Sequence, residues 1–116
     1  MAEKKIDKSV SIIILSWNTK KLLKNCLESL KDLNVEIIVV DNGSTDGSVE
    51  YLRDLERKKF RNIAKKKESA KSLNVYNSIN LKIIFNQQNL GYGAGNNQGM
   101  KLAQGDYFLL LNSDTI

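Results

Sequence analysis

At 116 residues and 41% hydrophobic content, the chain can bury one small core. It has no histidine and a single cysteine, Cys26. Histidine-based triads, histidine-ligated zinc and an internal disulfide are therefore excluded, and any metal must sit on oxygen ligands. The formal charge of +5 is local, because residues 53–71 hold nine Lys and Arg against three acids, a net of +6.

The opening "MAEKKIDK" lacks the apolar core of a signal peptide, and no apolar run nears the roughly 20 residues that span a bilayer. A cytoplasmic protein is expected, with residues 1–8 as a flexible N-terminus. "VSIIIL" (10–15) is an aliphatic and β-branched run that suits a strand covered on both faces. From Lys20, Leu22, Leu23, Cys26, Leu27, Leu30 and Leu33 recur at helical spacing, with Thr19 placed to cap the helix and Cys26 as a small buried thiol. "VEIIVV" (35–40) predicts a second buried strand, followed by the turn-forming "DNGSTDGS". A second helix begins near Ser48 with Val49, Tyr51, Leu52 and Leu55. It runs into a thinly apolar basic stretch, either a long solvated helix or a mobile insertion. "LKIIF" (81–85) predicts a third strand, "AGNNQGMKLAQ" a short helix ended by Gly105, and "DYFLLL" a fourth buried strand.

The alternation of strands and helices predicts an α/β, Rossmann-like three-layer sandwich with a mostly parallel sheet. Ligands of such sheets bind beyond the carboxyl ends of the strands. All four ends here are polar: "SWN" (16–18), "DNGSTD" (41–46), "NQQN" (86–89) and "NSD" (112–114). Ser16, Trp17, Asn18, Asp41, Asn42, Ser44, Asn89, Gly91, Asn97, Asn112 and Ser113 are the candidate binding residues on that rim. Trp17 either stacks on a flat base or covers the sheet edge. Asp41 either accepts hydrogen bonds from a ligand or satisfies its own turn. "GYGAGNNQG" is not a dinucleotide fingerprint, since six positions counted from Gly91 or Gly93 end on Asn96 or Gln98. It remains a glycine-rich approach suited to a phosphate or sugar. In an extended "NSD", Asn112 and Asp114 share a side and offer hard oxygens to Mg²⁺ or Mn²⁺.

In this order, "SIIILSWN", the helix with "CLESL", "VVDNGSTDGS", "NLGYGAGNNQGM" and "GDYFLLLNSDT" closely resemble the nucleotide-binding half of family 2 glycosyltransferases of the GT-A fold. The resemblance covers roughly residues 9–56 and 80–116. It implies transfer of a sugar from a nucleotide diphosphate donor to a saccharide or lipid-linked acceptor in cell-envelope polysaccharide synthesis, with inversion and a divalent cation. By that similarity Trp17 lies near the base, and Asp41 with Asn42 holds base and ribose. The Asn89, Gly91 and Asn97 region closes around the donor. Asp114, with Asn112, stands at the metal. Asn at positions 42 and 112 resembles rhamnosyl- or galactofuranosyl-type members and favours a uridine or deoxythymidine diphosphate sugar.

Two departures qualify the resemblance. The basic segment 57–79 exceeds the family's usual connection; a solvated insertion is the plain reading, with contact to an anionic membrane face through residues 57–71 as the alternative. No aromatic and basic stacking pattern accompanies it, so nucleic acid is not expected as a partner. The general base of this family comes from later in the domain, which puts it beyond Ile116. The chain is therefore expected to be a GT-A domain truncated after its fourth core strand, binding donor and metal over residues 9–116 without transferring sugar alone. A non-catalytic nucleotide-binding or regulatory module is the competing expectation.

Overall fold

A computed structural model of the chain describes residues 7–30, 33, 35–66 and 80–112. Chain order is β1 (Asp7–Ser16), α1 (Lys20–Leu30), β2 (Val35–Asn42), α2 (Ser48–Lys66), β3 (Asn80–Asn86), α3 (Tyr92–Leu102) and β4 (Tyr107–Asn112). The four strands form one sheet in the order β3-β2-β1-β4, and every pairing is parallel. The α/β reading of the sequence therefore holds.

The aliphatic runs are continuous because both faces of the central strands are covered. Ile12, Ile14, Ile37 and Val39 point to one face and pack with Leu23 and Leu27 of α1 and Leu52 and Leu55 of α2. The alternate residues Ile13, Leu15, Ile38 and Val40 point to the other face, against Met100 of α3 and Ala103 just beyond it. Each fully buried Ile or Leu contributes about 1.5–3 kcal/mol relative to exposure, so β1 and β2 anchor the fold. Cys26 is half-buried against the first of these clusters, and burial pushes its thiol up, which suits a packing role.

Several expectations are corrected. The first strand reaches back to Asp7, into the N-terminus expected to be flexible, with a register shift between Asp7 and Ser11. The fourth strand is not buried: Tyr107 is 70% and Leu109 48% exposed. Among the described residues β4 pairs only with β1, and the two buried clusters that the helices cover centre on β1 and β2. The third helix starts two residues earlier than expected and ends at Leu102, because the backbone of Ala103 after it is extended. Gly105 thus does not stop it. Instead Gly105 crosses so close to β1 that an added Cβ would lie 2.6 Å from Ser11 Oγ. The second helix does continue through the basic stretch to Lys66. Residues 67–79, the remainder of the expected insertion, lie outside the described residues. Among the described residues no helix is long and apolar enough to cross a membrane.

Candidate functional site

The carboxyl ends of β1 and β2 are tied together before they offer anything to a ligand. Asp41 is fully buried, and its two oxygens accept from Ser44 N–H at 2.9 Å and Ser44 Oγ at 2.7 Å. Of the two readings of Asp41, the geometry displays the turn-satisfying one. Ser44 Oγ also accepts the Asn18 N–H at 2.9 Å, and Asn18 Oδ1 accepts the Thr45 N–H at 2.7 Å. Asn18 takes a left-handed backbone, φ 51°, which asparagine tolerates better than most residues. Ser16 is buried on one side of this kink, with its Oγ 3.4 Å from Thr19 Oγ1, and Trp17 is turned outward, 51% exposed.

Asp46 completes the tie. It accepts the Lys20 N–H at 2.9 Å, the Ser48 N–H at 3.1 Å and Ser48 Oγ at 2.6 Å, so one carboxylate serves the first turns of α1 and α2. Two helix N-termini carry partial positive charge and unpaired N–H groups, which favours an anion between them. Burial pushes the Asp46 pKa up, but these hydrogen bonds outweigh it and hold the carboxyl below its ordinary value. Thr19 keeps the position before α1, where its carbonyl accepts the Leu23 N–H at 2.8 Å.

The loop between β3 and α3 closes the rim. At Gly43, φ 79°, an added Cβ would meet Gln88 Cα at 2.9 Å, so the β2 turn can lie against this loop only as glycine. Asn89 Oδ1 accepts the Gly91 N–H at 2.8 Å, and Gly91 enters α3 at φ 92°. Asn42 is 2% exposed; its Nδ2 donates to the Gly91 carbonyl at 3.3 Å.

These loops enclose a cleft of about 280 Å³. Leu15, Trp17 and Thr19 line it from the β1 side, Asn42 and Asn112 from the strand ends, and Asn89, Gly91 and Tyr92 from the entry to α3. Five expected binding residues, Trp17, Asn42, Asn89, Gly91 and Asn112, therefore meet. Ser16, Asn18, Asp41 and Ser44 are not in the wall; they build the turns behind it. Asn97 is exposed on α3 and also outside the wall. Ser113 and Asp114 lie outside the described residues, so of the expected metal pair only Asn112 is placed. Among the described residues no group of three acidic, histidine or cysteine side chains converges.

Tyr92, 58% exposed, was missed in the sequence. Its signal was an aromatic directly after the Asn89–Gly91 turn, read there as part of a glycine-rich loop. The cleft wall combines two aromatic rings with three neutral carboxamides and carries no formal charge. It can stack a flat ring and hydrogen bond to polar groups, and an anion bound in it would need a cation from elsewhere.

Comparison with known proteins agrees with this architecture. Residues 11–116 match the family model described as glycosyl transferase family 2. EpsH of Bacillus subtilis (strain 168), named as a glycosyltransferase, is 30% identical over 109 residues, covering 91% of this chain and 26% of that protein. The poly(ribitol-phosphate) beta-glucosyltransferase of Bacillus spizizenii is 31% identical over 110 residues, 90% of this chain and 14% of its own. The cholesterol galactosyltransferase of Borreliella burgdorferi is 32% identical over 110 residues, 90% of this chain and 25% of its own. The chain thus spans about a quarter or less of the length of these three relatives.

Proposed function

The chain belongs to glycosyl transferase family 2, and from that premise we propose that its cleft binds the nucleotide diphosphate part of a sugar donor. In this reading residues 9–116 supply the donor side of an enzyme that moves a sugar, with inversion, onto a saccharide or lipid-linked acceptor. The observation that supports it best is the convergence of Trp17, Tyr92 and the carboxamides of Asn42, Asn89 and Asn112 around one uncharged cleft. Trp17 stacks on the base, and the carboxamides meet ribose and phosphate groups. A uridine or deoxythymidine diphosphate sugar is favoured. Asp41 and Ser44 act behind the wall by fixing the turn that carries Asn42 and by anchoring Asn18.

A diphosphate in a wall without cationic groups needs its charge offset. The residues fit a hard cation in part: Asn112, whose carboxamide carries one neutral oxygen, lines the cleft, and Mg²⁺ or Mn²⁺ commonly completes its shell with water and phosphate oxygens. Asn112 and Asp114 would hold it. When bound, such an ion stabilises the charge that grows on a leaving diphosphate. The contribution of this chain's own residues is binding and orientation. No carboxylate lines the cleft among the described residues, so nothing described there is assigned to deprotonate the acceptor.

The acceptor does not follow from kinship, since the relatives' names give a poly(ribitol phosphate) in one case and cholesterol in another. The test is a calorimetric and thermal-shift panel of uridine, deoxythymidine, guanosine and adenosine diphosphates with and without Mn²⁺. A pyrimidine diphosphate that binds, more tightly with Mn²⁺ and less so in Asp114→Ala, is the expected result. Failure of all four to bind the folded protein overturns the reading, as does preferential binding of a nicotinamide dinucleotide.

A further inference from the structure

Behind the cleft, three carboxamides form a directional chain. Asn86 Nδ2 donates to Asn42 Oδ1 at 2.9 Å and to Gln98 Oε1 at 2.7 Å, while Gln98 Nε2 donates back to Asn86 Oδ1 at 2.9 Å. Asn42 passes the direction on: its Nδ2 donates to the Gly91 carbonyl at 3.3 Å, and its Oδ1 lies 3.5 Å from the Leu90 N–H. The chain links the end of β2, the end of β3, the loop before α3 and the middle of α3. Asn86 and Gln98 are half-buried and neither lines the cleft.

A carboxamide has one donor end and one acceptor end, so each member orients the next. Gln98 locks the plane of the Asn86 amide through two reciprocal bonds. The Gly91 carbonyl, which only accepts, takes the Asn42 nitrogen, so the Asn42 oxygen faces Asn86 and Asn86 presents its N–H there. We infer that Asn86 and Gln98 are positioning residues of the cleft: acting through Asn42, they hold the Leu90–Gly91 backbone and with it the wall formed by Asn89, Gly91 and Tyr92. The inference rests on the reading of the cleft as the donor site, and it assigns a role to two residues that touch no ligand.

The direction of the chain gives a test that general destabilisation does not reproduce. Asn86→Asp and Gln98→Glu are isosteric and add the same charge. An aspartate at 86 cannot donate, so Asn42 turns its amide to meet it and leaves its oxygen against the Gly91 carbonyl. A glutamate at 98 still accepts from Asn86 Nδ2 and leaves the direction unchanged; it loses the return bond and sets a carboxylate oxygen beside Asn86 Oδ1, a contact that the half-buried side chains can relax toward solvent. Two readouts apply: hydrogen–deuterium exchange over residues 87–92 without ligand, and affinity for uridine or deoxythymidine diphosphate with Mn²⁺, each well below the melting temperature of the variant. Asn86→Asp should exchange about tenfold faster in that segment and bind about tenfold more weakly, while Gln98→Glu stays within about threefold of the parent in both. Should Asn86→Asp fail to fold, Gln98→Met removes the lock without charge and should speed the same exchange. Equal behaviour of the two acidic variants, unchanged exchange in Asn86→Asp or Gln98→Met, or a loosened loop with unchanged affinity would overturn the inference. If the parent protein bound no nucleoside diphosphate, the proposed function would fall, and exchange in the variants would still decide whether Asn86 and Gln98 hold the loop.

Discussion

Ser11 Oγ donates to Glu36 Oε1 at 2.7 Å and accepts the Gly105 N–H at 2.9 Å, so one buried hydroxyl joins β1, β2 and the loop leading into β4. Glu36 also accepts the Gln104 N–H at 2.8 Å and pairs with Lys82 Nζ at 2.6 Å. A carboxylate 3% exposed within a strand is costly unless its oxygens are engaged, and here both are. This cluster lies toward the start of the strands, away from the cleft, and holds the last loop in place so that β4 can enter beside β1.

Glu36→Gln should therefore lower stability by about 1–3 kcal/mol, because the amide places an N–H₂ against either Lys82 or two donors. Lys82 retains access to solvent, which keeps the cost below that of a fully stranded charge. Urea denaturation at neutral pH checks the value.

The same carboxylate sets an acid limit. Burial pushes its pKa up, but the bonds from Gln104, Lys82 and Ser11 outweigh burial, so the folded pKa lies below the ordinary one. A depressed folded value means that the contribution is complete above the unfolded value, about 4.3 for glutamate, and is lost as pH falls through the folded value. Asp46 has the same sign. Melting temperature should fall as pH drops from about 5 to about 3, with a shallower slope in Glu36→Gln and shallower still when Asp46→Asn is added. Parallel slopes in all three proteins would count against both assignments.

Asp46→Ala tests the shared helix start. Removing one carboxylate unpairs backbone N–H groups on both α1 and α2, and the expected loss is about 1–2 kcal/mol, at the upper end for a cap. Hydrogen exchange should quicken at Lys20 and Ser48 together. Acceleration at one helix only would show that the two ends are not coupled through this side chain.

The approach of α3 to the sheet makes a further prediction. A Cβ at Gly99 would lie 2.5 Å from Ile13 Cγ2, on a β-branched side chain held at the centre of the core. Gly99→Ala gains about 1 kcal/mol of helix propensity and incurs overpacking of about 1–3 kcal/mol, so the net effect should be destabilising. Asn96, also on α3, is 3% exposed with neither side-chain polar atom hydrogen bonded. Asn96→Leu, of similar shape, should raise the melting temperature, since it relieves an unsatisfied buried amide worth about 1–3 kcal/mol. A lower melting temperature for Asn96→Leu would show that packing, and not the amide, governs that position.

Strand identity was legible because Ile, Val and Leu run unbroken where both faces are covered, and the helix of Leu23 and Leu27 because its apolar spacing is regular. The exposure of β4 among the described residues was not, because "YFLLL" has the composition of a central strand and sequence does not reveal which strands neighbour one another. The rim was legible as four polar strand ends, five of whose residues reach one cleft. Asp41, Asn18 and Ser44 illustrate what composition cannot separate, since the oxygens and amides that suit a ligand also suit a tight turn. In the structure these groups bond to one another within the turn. Asn86 and Gln98 gave no signal either, because their effect on the cleft passes through Asn42.

Trp17 offers the most direct check on the cleft. It is the only tryptophan, so intrinsic fluorescence reports on that wall alone. Half exposed, its ring adds little to the core, and Trp17→Ala should change stability by no more than about 0.5 kcal/mol. A stacked base is worth about 1–3 kcal/mol, so affinity for a pyrimidine nucleoside diphosphate should fall by roughly one to two powers of ten. Tyr92→Ala should weaken binding less steeply if its ring meets the sugar or ribose edge, and Tyr92→Phe should separate the contribution of the hydroxyl from that of the ring. In the parent protein, nucleotide should change Trp17 fluorescence along the same isotherm that calorimetry gives. Binding seen by calorimetry with fluorescence unmoved would place the base elsewhere and leave Trp17 as cover for the sheet edge.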